Sequence, residues 1–232
     1  MAAPVLHQAM VENLGQAIVD GEIEPGTAIT LDDVMARFDA SRNVSREAVR
    51  VLETLGMVAM KRRIGNVVLP RSNWRVMDPR VIRWRLAGPT RKVELDSLMQ
   101  LRSGIEPVAA RLSAAAASAQ VGRRLLELSE QMTRLGTAGR GDSEEFLDAD
   151  LEFHRLLMTS SGNDHFVTFS ETLRVLLTER NRLGLLGGYP NPRAMAGHQA
   201  IAEAIAARSP RQAEAACREL IDVVHIEVLP PE

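Results

Sequence analysis

The chain of 232 residues has one cysteine, one tyrosine, two tryptophans and a formal net charge of only −2 at neutral pH. The lone thiol, Cys217, excludes an internal disulfide and any cysteine-based zinc finger, and fits a reducing compartment. With Ala213, Ala216 and Leu220 nearby, it reads as a core position. No apolar run approaches the roughly 20 residues that a membrane span requires. The start Met1-Ala2-Ala3-Pro4 lacks the basic and apolar regions of a secretory signal, so the expected location is the cytoplasm. No repeat of fixed period and no low-complexity tract occurs. A near-neutral total would ordinarily argue against nucleic acid, but distribution matters more than the sum. From Arg42 to Lys92 the only acids are Glu47, Glu53 and Asp78, set against basic residues that include Arg42, Arg46, Arg50, Lys61, Arg62 and Arg63.

Leu6, Met10, Leu14, Ala17 and Ile18, spaced by three or four, predict a first helix that Gly21 ends. The Gly- and Pro-containing turn of residues 21–26 leads to a short helix, Leu31 to Phe38, which Thr30 or Asp32 can cap. After a break at Asp39-Ala40-Ser41, a third helix starts near Arg42 and turns Val44, Ala48, Val51, Leu52 and Leu55 inward before Gly56 closes it. The stretch Val58 to Leu69 has apolar ends around a basic tip with Gly65-Asn66, the pattern of a small hairpin or wing. Pro70-Arg71-Ser72-Asn73 reads as a linker. Beyond it the periodicity is helical throughout, with helices expected near 78–87, 91–118, 120–136, 142–160, 163–185, 193–207 and 209–228. The fold class that follows is mainly α. A winged helix-turn-helix of three helices and a small β-hairpin occupies 1–70, a linker 71–77, and an all-helical domain 78–232.

Helical geometry places Arg42, Arg46 and Arg50 along one stripe of the third helix, opposite its packing face. Such a stripe is either a solvated face or a recognition helix whose guanidinium forks meet guanine edges and phosphates. A turn before it and a basic hairpin after it favour DNA. Ser41 and Asn43 add short hydrogen-bonding groups at the helix start, where free amides also attract phosphate. Arg63, Gly65 and Asn66 at the wing tip would lie against the adjacent minor groove or backbone.

In the C-terminal half, Asp150 and His154 fall within the apolar arc formed by Leu147, Leu151, Leu157 and Met158. Buried ionisable groups need partners, and their i, i+4 spacing lets a carboxylate oxygen and an imidazole nitrogen reach one cation. His198 has the same placement among Met195, Ile201, Ala202 and Ile205. Arg102 is surrounded by Leu95, Leu98, Met99, Ile105 and Ala109 and requires an anion. An alternative is an internal Arg102–Asp150 ion pair with two ordinary core histidines. A further one is a metal-dependent hydrolase built on Asp150, His154 and His198, although no motif around them supplies a base or nucleophile.

The stretch from Ser41 to Leu52, followed by Leu55-Gly56-Met57-Val58 and the Gly65-centred wing, resembles the operator-binding domain of GntR-type regulators. Ile18 to Gly26 resembles the same family's first helix and turn. The family usually shows a small residue or proline near Asn43-Val44. Leu101 to Arg111, Asp150-Leu151-Glu152-Phe153-His154, Ser161-Gly162-Asn163 and His198 resemble the FCD ligand-sensing domain of the FadR branch. Arg71 to Trp84 resembles galactonate-operon repressors within it. The resemblance implies a non-enzymatic homodimeric repressor of a sugar-acid catabolic operon. It would bind double-stranded palindromic operator DNA, at the nucleoid when bound, and be released by a small carboxylate effector. It implies that Arg42, Arg46 and Arg50 contact bases and phosphates, that Gly65 enters the minor groove, and that Arg102 helps bind the effector. It also implies a metal, zinc, nickel or manganese, on Asp150, His154 and His198. Leu220 occupies the position of the family's last histidine, and His225, five residues on, faces elsewhere.

Overall fold

A computed structural model describes residues 3–229, in two compact units that part between Arg91 and Lys92. The first two residues, Met1-Ala2, on which the expectation about a secretory signal partly rests, and the outer limits of the expected domains, 1 and 232, lie outside the described residues.

The first unit contains α1 (Ala3–Val19), β1 (Ala28–Ile29), α2 (Leu31–Phe38), α3 (Arg42–Thr54), β2 (Val58–Lys61), β3 (Gly65–Val68), a 3-10 turn (Arg71–Asn73) and α4 (Pro79–Ala87). A capping box starts α2, with the Thr30 hydroxyl accepting from the Asp33 amide and the Asp33 carboxylate accepting from the Thr30 amide. Asp39, in the left-handed region at φ 47°, stops it, and Ser41 caps α3. Met10, Leu14 and Ile18 of α1 pack with Val34, Ala48, Leu52, Val58, Val68 and Trp84 in one core. The strands form an antiparallel sheet of order β1-β3-β2. The hairpin is the expected one. Strand β1 was not expected, since two residues carry no alternation and only the pairing of Ala28 with Val67 and Ile29 with Asn66 defines it.

Helix α4, assigned from the sequence to the C-terminal domain beyond residue 77, packs instead on α1. The Trp84 ring lies where a Cβ on Gly15 would be, 2.4 Å from it. The indole Nε1 donates to Glu12, and the Gln16 amide donates to the Trp84 carbonyl at 3.1 Å. The absent side chain at position 15 is the socket for the largest side chain of α4. Helical periodicity marks Trp84 as inward-facing but cannot say which helix it faces.

The second unit is all helical: α5 (Arg91–Ala116), α6 (Ala119–Thr137), α7 (Glu144–Thr159), α8 (Asp164–Arg182), α9 (Pro192–Ala206) and α10 (Pro210–Val228). Ser118, Ser143, Asn163 and Asn191 cap the starts of α6 to α9 through side-chain oxygens. Helix α9 packs between α6 and α10, and α7 between α6 and α8. Ala109, Met158, Phe169, Leu173 and Leu177 join α5, α7 and α8. Among the described residues no helix is long and apolar enough to cross a membrane.

Candidate functional site

Two sites hold the polar residues singled out by the sequence, an exposed one in the first unit and a buried one in the second. On α3 the buried face is Ser45, Ala48, Val49 and Leu52, which leaves the Arg42, Arg46 and Arg50 side chains 63%, 51% and 62% exposed. Each guanidinium rests on a neighbour: Arg42 on Asp32 at 3.0 Å, Arg46 on Asn43 at 3.1 Å and Arg50 on Glu47 at 3.1 Å. Exposed contacts of this kind hold side chains weakly, so the forks are free to exchange onto phosphates. Ser41 and Asn43 are also exposed. At the wing tip Arg63 adopts φ 67° and Gly65 φ 99°, the turn that brings β3 back along β2. Arg62, Arg63 and Ile64 project into solvent. Asn66 does not. It sits on the central strand opposite both Ile29 and Met60 and is 4% exposed, and the next residues Val67 and Val68 are buried as well, on a strand paired along both edges.

In the second unit a chain of buried charges runs through the helices. Asp150 and His154 of α7 and His198 of α9 are 2%, 2% and 5% exposed, and one donor atom from each lies within 4.8 Å of the others. Both imidazole Nε2 atoms are 3.4 Å from Asp150 Oδ1. Zinc bonds of about 2.0–2.1 Å in tetrahedral array would separate neighbouring donors by roughly 3.4 Å. The other ring nitrogens are turned away. His198 Nδ1 lies 2.8 Å from the Ala194 carbonyl. His154 Nδ1 lies 2.8 Å from Glu106 Oε2, an ion-pair distance without a well-aligned N–H···O direction. Outer partners on Nδ1 leave Nε2 lone pairs facing inward, the tautomer that ligates a cation. His198 Nε2 is buried without a hydrogen-bond partner, and two nitrogen lone pairs aimed at a carboxylate oxygen repel it unless a cation or proton lies between them. The donor set therefore fits a divalent metal.

Glu106 of α5 and Arg180 of α8 complete the cluster, and the sequence reading missed both. Arg102 Nε and Nη2 donate to the Glu106 carboxylate, while Arg180 Nη2 donates to Asp150 Oδ2 at 2.8 Å. The alternative Arg102–Asp150 pair is thus replaced by two separate pairs. Burial opposes ionisation of Glu106, but Arg102 and His154 outweigh it and hold the carboxyl down to about 2. Burial likewise opposes the Asp150 carboxylate, and His154, His198 and Arg180 reverse this, leaving it well below its usual range. Burial lowers His198, and it also works on His154, where Glu106 and Asp150 overcome it and raise the group. Glu106 was legible as the i+4 neighbour of Arg102. Arg180 was not, because its partner is thirty residues away in sequence. Arg102, 1% exposed, stands behind the cluster and holds Glu106. Leu220 is fully buried, close against Gly197, and His225 pairs with Asp96 at 2.9 Å.

Beside Asp150 and His198 lies an enclosed cavity of about 10 Å³, lined also by Phe146, Arg180, Leu186, Pro190 and Glu227. It is room for about one water.

Comparison with known proteins assigns both halves. Residues 6–68 match the family model described as "Bacterial regulatory proteins, gntR family", and residues 97–223 match the FCD domain. The uncharacterized HTH-type transcriptional regulator YieP of Escherichia coli K12 is 31% identical over 166 residues, 71% of each chain. The galactonate operon transcriptional repressor of the same organism is 27% identical over 214 residues, 91% of this chain and 92% of its own. Among solved structures, E. coli McbR/YncC superposes with a TM-score of 0.52 at 15% identity, covering 94% of both chains. Streptococcus agalactiae GntR superposes with a TM-score of 0.50 at 21% identity, covering 94% and 98%.

Proposed function

The chain belongs to the gntR family of bacterial regulatory proteins and carries an FCD domain, and from this premise we propose that it is a homodimeric repressor whose operator grip is released by a small sugar acid. It is a transcription regulator and not an enzyme, since the matched families and relatives are regulators; the hydrolase alternative falls with that. The observation that carries the DNA assignment is the exposed arginine stripe of α3 beside a basic wing. In a dimer the stripe is repeated at the second half of a palindrome. Arg42, Arg46 and Arg50, with Ser41 and Asn43, meet base edges and phosphates, and Arg63 and Gly65 follow the adjacent groove. Resemblance to the galactonate operon repressor supports the sugar-acid class, and the cytoplasm is the matching location.

Asp150, His154 and His198 would hold a zinc, nickel or manganese ion, which when bound supplies a Lewis-acidic seat for a carboxylate oxygen. Glu106 orients His154, Ala194 orients His198, and Arg102 keeps Glu106 ionised. Leu220 leaves three protein donors, so affinity leans on the effector as a further ligand.

The test is binding to a duplex selected by the full-length protein from a random pool, followed across salt concentrations. Arg46→Ala is expected to lose about tenfold or more of specific affinity per half-site and to flatten the salt slope. Full, sequence-specific affinity in that variant would overturn the assignment.

A further inference from the structure

Resting on the carboxylate-effector reading, we propose that Arg180 is the residue that receives the effector's carboxylate, and that Glu227, on the same cavity, accepts from its hydroxyl groups, so that the site selects hydroxy acids over plain carboxylates. Arg180 is 7% exposed, and only Nη2 is committed, to Asp150 Oδ2 at 2.8 Å. Its Nε is buried with no hydrogen-bond partner, and the residue lines the cavity together with His198. A buried donor left unpaired is costly, and a guanidinium fork binds carboxylates edge-on through Nε and an Nη. With one nitrogen held by Asp150, the free Nε is in place for one oxygen of an anion whose other oxygen reaches the His198 side. Arg102 cannot serve, because its Nε and one Nη are taken by Glu106 and it does not line the cavity.

The cavity also has an acceptor end. Glu227 of α10 lines it, and a carboxylate there would repel a second anionic group but accept hydrogen bonds from hydroxyls. Phe146, Leu186, Pro190 and Val224 supply apolar walls. A positive seat and an acid acceptor within one small apolar enclosure match a molecule with a carboxylate at one end and hydroxyls beyond it. The present volume is too small for such a molecule. Leu186 and Pro190 come from the connection between α8 and α9, whereas the other walls are helical. Pro190 and Met195 also line an outer groove of about 870 Å³ between α6 and α9, so displacing this connection joins the groove to the cavity.

The experiment is calorimetric titration of the full-length zinc-loaded protein with gluconate and lactate, and with propionate and sorbitol, each of which lacks one of the two features. With zinc held at saturation for each protein, Arg180→Gln is expected to weaken gluconate and lactate at least tenfold, its zinc affinity being measured in a separate metal-only titration because Arg180 also holds Asp150. Glu227→Met, which removes the acceptor and leaves Arg180 and Asp150 in place, is expected to erase the preference for lactate over propionate. Wild-type affinity for hydroxy acids in Arg180→Gln, or an unchanged preference in Glu227→Met, overturns the assignment. A wild-type protein that binds zinc but none of these acids overturns the effector reading itself.

Discussion

At the residue scale, the C-terminal site is governed by which groups offset each other's burial. Glu106 illustrates the balance: its neighbours lower its carboxyl from 4.5 to about 2 although it is wholly buried. A carboxyl whose folded value is depressed contributes stability that is complete above its unfolded value and is lost as the pH falls through the folded one. Glu106→Gln should therefore be less stable than the parent by roughly 3 kcal/mol near pH 6, with the gap closing as urea melts are repeated down toward about pH 2. A gap independent of pH would mean that Arg102 and His154 do not act on Glu106 through its charge. The inward placement of Asp150, His154, His198 and Arg102 was readable from the helical period, because each falls in an apolar arc. Their pairing was not readable, since a guanidinium on an inward face is compatible with any buried carboxylate.

At the scale of elements, helix ends were written in the local sequence. Thr30, Ser41, Ser143 and Asn163 are short polar side chains just before apolar periods, and each caps a helix. Strand β1 escaped because a two-residue strand exists only through its partner. Asn66 escaped for the same reason, as the hairpin pattern puts it near a basic tip while pairing on both sides buries it. The fit of α4 on α1 yields a sharp expectation. Gly15→Ala sets a methyl 2.4 Å from the Trp84 ring, and because the indole is tied to Glu12 it cannot retreat cheaply. A loss of about 1–3 kcal/mol is expected in thermal or urea unfolding. Gly21→Ala, at a positive φ in open space, is the comparison that separates backbone strain from overpacking. Equal stability of Gly15→Ala and the parent would show that the socket is not tight.

At the scale of the whole molecule, the two compact units predict where the chain can be cut. A fragment of residues 1–91 retains Trp84 over Gly15 and should unfold cooperatively. A fragment of 1–77 loses that contact and should melt at lower temperature, by circular dichroism, although it keeps every element of the winged helix. Equal midpoints would place α4 outside the N-terminal fold. The sequence by itself determined the order of helices, the hairpin, the basic stripe and the inward polar groups, because each depends on period, capping or turn chemistry over a few neighbouring residues. Only the tertiary structure decided that α4 joins the first unit, that Asn66 is buried and that Arg180 meets Asp150. Those outcomes depend on which surfaces meet across long stretches of chain, and a one-dimensional pattern carries the direction of a side chain but not the identity of what it touches.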